Sequence, residues 1–183
     1  FEPEEGHPQQ KIAAFLYDGS HKTWFASNGE GLYYYANNRV NLINSDDGLS
    51  DDHVSCLQLS AKGDVLAGTD QGINVCSIQQ NKKLVRTIGP AQGLPDYIVT
   101  SIASAGNDRY WVGTQEKGFC LYDHVSGKIT IPAVSANWNY GQVNSILQDQ
   151  QLVWIATQDS GLLRYSIATA TIERVHLNVN DRH

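Results

Sequence analysis

Apolar residues fall along this chain in short runs separated by breaks rich in Gly, Asn and Asp. One run returns with its surroundings. "WFASNGEGLYYYA" (Trp24–Ala36), "WVGTQEKGFCLYD" (Trp111–Asp123) and "WIATQDSGLLRYS" (Trp154–Ser166) are near copies, and "LAGTDQGINVCS" (Leu66–Ser77) is a version one residue shorter. Aligned on Ser27, Thr69, Thr114 and Thr157, the copies repeat with a period in the low forties. An apolar pair upstream keeps the same period: Ile12/Phe15, Val54/Leu57, Val99/Ile102 and Val143/Ile146. Two markers with one period establish a repeat, and this length belongs to solenoids and propellers.

The local pattern separates those two. Each unit holds four short runs rich in β-branched and aromatic residues; in the third they are 98–104, 110–114, 118–123 and 128–131. No segment keeps a 3.6-residue period, which excludes helical repeats. Four strands per repeat of this length predict β-propeller blades. The fold class expected is all-β: a propeller fragment of four blades, each of four antiparallel strands, part of a larger, seven-bladed ring. The blades fall at about 11–46, 47–91, 92–136 and 137–180, after an N-terminal loop at 1–10. The first blade opens on its innermost strand. "NDRH" at the end of the sequence echoes "SDDH" (Ser50–His53), which stands just before the second blade. The chain therefore reads as stopping at the threshold of a fifth.

A string present four times is architecture before it is chemistry. Inner strands of a blade are covered on both faces, so they need apolar residues on both sides. Trp24, Leu66, Trp111 and Trp154 are expected to fill the space between blades. The small residues after them (Ala26, Gly68, Gly113, Ala156) let the next blade approach. Gly31, Gly72, Gly118 and Gly161 belong to the structural repeat, Gly118 suits a positive φ, and Thr114 and Thr157 end the strand where they can bond the loop backbone.

Composition narrows the function. With 13 Lys and Arg against 19 acids, the net charge is −6, and no basic cluster suits a phosphate backbone, so nucleic acid is excluded as a partner. No apolar run reaches the length of a membrane span. The sequence starts at Phe1 and contains no Met, so it reads as a piece of a longer polypeptide. Three cysteines, Cys56, Cys76 and Cys120, form neither a disulfide framework nor a zinc pattern. The six histidines show no metal-binding spacing, and no cofactor, metal or catalytic set is expected. "SDDGLSDDH" (Ser45–His53) lacks the alternating spacing of a calcium loop and reads as solvated linker charge.

The linkers carry a family resemblance. "DGLSDDHVSCLQL" (Asp47–Leu59) and "QGLPDYIVTSIAS" (Gln92–Ser104) precede "VLAGTDQGI" (Val65–Ile73) and "YWVGTQEKGF" (Tyr110–Phe119). Nearly the whole chain resembles two-component regulator propeller repeats, which read roughly Gly-Leu-Pro/Ser, an apolar strand, a turn, Trp-Ile/Val-Gly-Thr and Gly-Leu/Ile. It departs at Leu66, where Trp is the rule, and at "NWNYGQV" (Asn137–Val143), which lacks Gly-Leu. The resemblance implies a periplasmic sensor, the ectodomain of an inner-membrane hybrid two-component histidine kinase. It also implies oligosaccharide ligands, further blades and a second propeller in the parent chain, and homodimers.

In such a fold the loop between the second and third strands and the linker to the next blade share one end of the sheets. Sugars are held by aromatic faces, amides and carboxylates. The expected ligand residues are accordingly Asp96, Tyr97, Gln115, Glu116, Lys117, Trp138, Asn139 and Tyr140. "NWNYGQ" supplies both kinds of group on a loop that departs from the repeat. Alternative functions are a protein-interaction scaffold and part of a secreted propeller glycosidase or lyase.

Overall fold

The computed structural model describes residues 11–19, 22–80 and 82–176; the N-terminal loop expected at 1–10 and the "NDRH" echo lie outside them. Among the described residues sixteen strands form four sheets. The first holds β1 (Ile12–Tyr17), β2 (Thr23–Ser27), β3 (Leu32–Ala36) and β4 (Arg39–Ile43). The second holds β5 (Val54–Leu59), β6 (Val65–Thr69), β7 (Gly72–Gln79) and β8 (Lys82–Ile88). The third holds β9 (Val99–Gly106), β10 (Arg109–Thr114), β11 (Phe119–Asp123) and β12 (Ile129–Thr130), and the fourth β13 (Val143–Asp149), β14 (Leu152–Thr157), β15 (Gly161–Ser166) and β16 (Thr171–Arg174). Every sheet is antiparallel with neighbours in chain order. This is the blade architecture that the period predicts, with strand limits within two residues of those read for the third unit.

The repeated string builds the same clasp in each blade. The hydroxyl ending the second strand donates to the carbonyl of the loop glycine: Ser27 to Gly31 at 2.9 Å, Thr69 to Gly72 at 3.0 Å, Thr114 to Gly118 at 2.9 Å and Thr157 to Gly161 at 2.9 Å. The same oxygen accepts from the loop amides of Glu30, Gln71, Lys117 and Ser160. Each of those glycines has a positive φ, from 72° to 121°, a region that L side chains rarely enter.

Blades meet through three apolar cores. One joins blades one and two around Trp24, Leu32, Val54 and Cys76. A second joins blades two and three around Leu66, Ile73, Val99 and Tyr122, and a third joins blades three and four around Trp111, Phe119, Ile146 and Leu163. Among the described residues no core joins blade four to blade one. Gly113 shows why small residues follow the tryptophan: a Cβ there would lie 2.5 Å from Cγ1 of Val143 on the next blade. The innermost strands are also stitched by polar bonds. Ser55 donates to the Val99 carbonyl at 2.6 Å, and Thr100 donates to the Val143 carbonyl at 2.5 Å. The first strand of each blade carries a bulge near its start, as at Val54/Cys56 and Val143/Ser145, and bulges loosen the regular ladder there.

Candidate functional site

The linkers between blades run across the same end of the sheets as the β2–β3 type loops, and the two are tied together. In blade one the amides of Gly29 and Gly31 donate to the Asp52 carbonyl at 3.1 and 2.8 Å. In blade three Asp96 makes the tie with its side chain. Its Oδ1 accepts from the Tyr97 amide and its Oδ2 from the Glu116 amide, both at 2.8 Å. Asp96 therefore fixes the Gln115–Lys117 loop to the linker, and it leaves the Tyr97 ring 57% exposed beside that loop. The linker turns after Pro90–Gln92, a short 3-10 segment, and Leu94 anchors it in the core.

The loop's far end meets the next linker. Trp138 lies on Gly118, where an added Cβ would sit 2.7 Å from its ring. Its ring stands edge-on to Phe119 and Tyr140, with centroids 5.8 and 5.0 Å away. Its indole N–H donates to the Gly141 carbonyl at 2.7 Å. Trp138 and Tyr140 are half-buried members of the core between blades three and four, whereas Asn139 is exposed. The structure thus brings the eight candidate residues into one neighbourhood. It gives them unequal parts: Tyr97, Glu116, Lys117 and Asn139 face solvent, Asp96 holds two loops together, and Trp138 caps a blade.

The acidic linker at Ser45–His53 is bonded within itself and to blade two. Asp52 accepts from Ser45 at 2.7 Å, Asp47 pairs with Lys83 at 2.7 Å, and His53 Nδ1 lies 3.1 Å from Asp70. Among the described residues no group of three or more His, Cys, Asp or Glu is placed to hold a metal.

A second polar cluster, invisible in the sequence, crosses from blade two to blade three. His124, buried, lies 3.2 Å from Asp64 through Nε2 and 3.2 Å from the Tyr122 hydroxyl through Nδ1. Arg86 donates to that hydroxyl at 3.4 Å. Next to it, burial alone would raise the Asp108 carboxyl. The Tyr110 hydroxyl at 2.6 Å, the Ala61 amide at 3.0 Å and the charges of His124 and Lys62 outweigh burial and hold it below its ordinary range. A cleft of about 530 Å³ opens here, lined by Lys62, Asp64, Ser77, Arg86 and His124 among others and by none of the eight candidate residues. The pairs that carry this cluster from one blade to the next, His124 with Asp64 and Arg86 with Tyr122, are too far apart in sequence for any spacing motif to signal them.

No family model and no curated protein matches the chain. Its likenesses are to solved structures. The computationally designed Ika4 protein superposes with TM-score 0.67 at 16% identity, over 89% of this chain and 94% of that one. The WD40 repeats of RRP9 superpose with TM-score 0.67 at 12% identity, over 91% of this chain. The chain spans only 51% of that structure. The extracellular domain of BT4673 from B. thetaiotaomicron matches at 22% identity over 89% of this chain and 27% of that one, and its TM-score of 0.48 carries no argument. Identities this low speak to fold alone, and the fold is that of a β-propeller, with blades like those of WD40 repeats.

Proposed function

We propose that this chain is a ligand-sensing propeller segment that recognises an oligosaccharide through the linker and loop end of blades three and four. The observation that supports it is the Asp96 tie. One carboxylate holds the Gln115–Lys117 loop against the linker and presents the exposed Tyr97 ring next to Glu116 and Lys117. An aromatic face with charged and amide groups fixed around it suits a sugar's C–H face and its hydroxyls. The resemblance to two-component regulator propeller repeats supplies the setting: a non-catalytic segment of a periplasmic ectodomain that biases a histidine kinase.

Titration calorimetry with cello-, xylo-, arabino- and galacto-oligosaccharides tests this reading. One of them is expected to bind, and Tyr97→Ala is expected to weaken it about tenfold, the equivalent of one lost ring contact. Trp138→Ala is a poorer probe, because it also uncovers Gly118 and Phe119. Silence across the panel would remove the sugar, and unchanged affinity in Tyr97→Ala would remove this end of the blades as the site.

A further inference from the structure

A groove recurs at each junction between blades, and its chemistry changes at one of them. Ile78 of blade two lines a cleft of about 450 Å³ against blade one, and Ile167 of blade four lines one of about 150 Å³ against blade three. By the strand pairing, the same position in blade three is His124, and the cleft it shares with blade two measures about 530 Å³. The row of side chains beside this cleft departs from the repeat too. Opposite the tryptophans, blades one, three and four carry Tyr34 with Asn41, Leu121 with Thr130, and Arg164 with Glu173. Opposite Leu66, blade two carries Val75 with Arg86.

Leu66 is smaller than the tryptophan it replaces in the pattern, and its core takes in two tyrosines of the next blade, Tyr110 and Tyr122. At the junction before it, Trp24 meets Val65 and Cys76 instead. The tyrosines bring hydroxyls into the junction, and that of Tyr122 orders the cleft. A carboxylate only accepts, so with the ring neutral the His124 Nε2–H donates to Asp64, Nδ1 accepts from the Tyr122 hydroxyl, and the phenol oxygen accepts from Arg86. Arg86 is thus held by one N–H and keeps the rest of its fork for the cleft. The acids of the lining are already matched: Asp47 pairs with Lys83 and Asp64 with His124. Among the described residues neither Arg86 nor Lys62 has a carboxylate within ion-pair distance, and Lys62 acts on Asp108 only through its field. A chain of net charge −6 therefore sets two unpaired cations on one cleft.

We propose that the cleft between blades two and three binds a small oxyanion, a carboxylate or phosphate carried on a hydroxylated body of sugar size, with Arg86 and Lys62 on the anionic group. A planar guanidinium beside an ammonium matches the oxygens of either head group. Ser77 and Gln79 offer partners to hydroxyls, and Val75 and Leu84 offer apolar contact. The volume is that of an ordinary small-molecule site. None of the residues expected to hold an oligosaccharide lines this cleft, so the two sites stand or fall separately.

Titration calorimetry of the chain at low ionic strength with D-glucuronate, inorganic phosphate and D-glucose tests this. Glucuronate or phosphate is expected to bind in the millimolar range or tighter, and glucose is not; which of the two anions binds identifies the head group. Arg86→Gln should weaken that binding at least about tenfold and Lys62→Gln about threefold. Both side chains are exposed, so far-ultraviolet dichroism should not change. Tyr97→Ala should leave anion binding as it is. Silence toward both anions overturns the proposal. So does an anion affinity indifferent to either substitution, glucose binding as tightly as glucuronate, or a loss in Tyr97→Ala equal to that in Arg86→Gln.

Discussion

The junction between blades three and four and the outer face of blade four are built from nearly the same residues, yet they differ in burial. Trp111 is 4% exposed; Trp154, its copy, is only half-buried. Trp111 packs tilted against Phe119 and edge-on against Tyr165, at 5.6 and 6.1 Å between centroids, and bonds Gln148. Trp154 has Leu147 beside it in the sheet, and among the described residues no blade lies above it. The repeated tryptophan is thus a wedge only where a neighbour is present.

The largest expected effect breaks that contrast directly. Trp111→Ala should cost about 3–5 kcal/mol, the usual range for emptying a core of a large aromatic side chain. Trp154→Ala should cost less than half as much under conditions where the chain is monomeric. Chemical denaturation of both variants checks the difference, and equal losses would mean that the wedge reading is wrong. A smaller effect sharpens it. Gly113→Ala forces a methyl against Val143, which is fully buried and stiff at χ1, so about 1–3 kcal/mol of overpacking is expected. The reverse change at the open face, Ala156→Gly, should lose under about 1 kcal/mol, the strand cost of glycine alone.

Smaller again is a chemical readout. Burial pushes the Cys76 thiol up to about 12, with Asp64 adding to it, and burial pushes Cys120 up to about 12. Both sit at junctions and should resist a thiol reagent at pH 8 in the folded chain, then react on unfolding. The sign for stability follows. A thiol raised on folding supports the fold fully below its unfolded pKa, near 9, and this support fades as pH rises from there toward 12. Trp111→Ala should expose Cys120 to the reagent sooner than Trp154→Ala does.

The blade pattern was legible because it rests on local chemistry repeated four times. A hydroxyl, two or three residues and a glycine of positive φ close a loop within themselves, so Ser27, Thr69, Thr114 and Thr157 declare the strand ends without help from the fold. The candidate site was legible only as a neighbourhood. Asp96 and Glu116 lie on one end of blade three by topology, but the tie between them depends on side-chain reach that no spacing fixes. Trp138 looks like a sugar platform in the sequence; the structure shows in addition that its ring lies over the bare backbone of Gly118, a contact that no spacing announces. The bonds of His124 to Asp64 and of Arg86 to Tyr122 are set by how two blades are turned against each other, which periodicity does not encode.

Three separate cores in a row, each shared by two adjacent sheets, make the molecule a linear array in the thermodynamic sense. Among the described residues each interior sheet is held from two sides and each terminal sheet from one. Amide exchange should therefore open the terminal sheets first. A single weak link in the middle would let the array come apart as two half-length pieces rather than melt all at once, which makes the contact between blades two and three, with its histidine bridge, the one on which cooperativity depends.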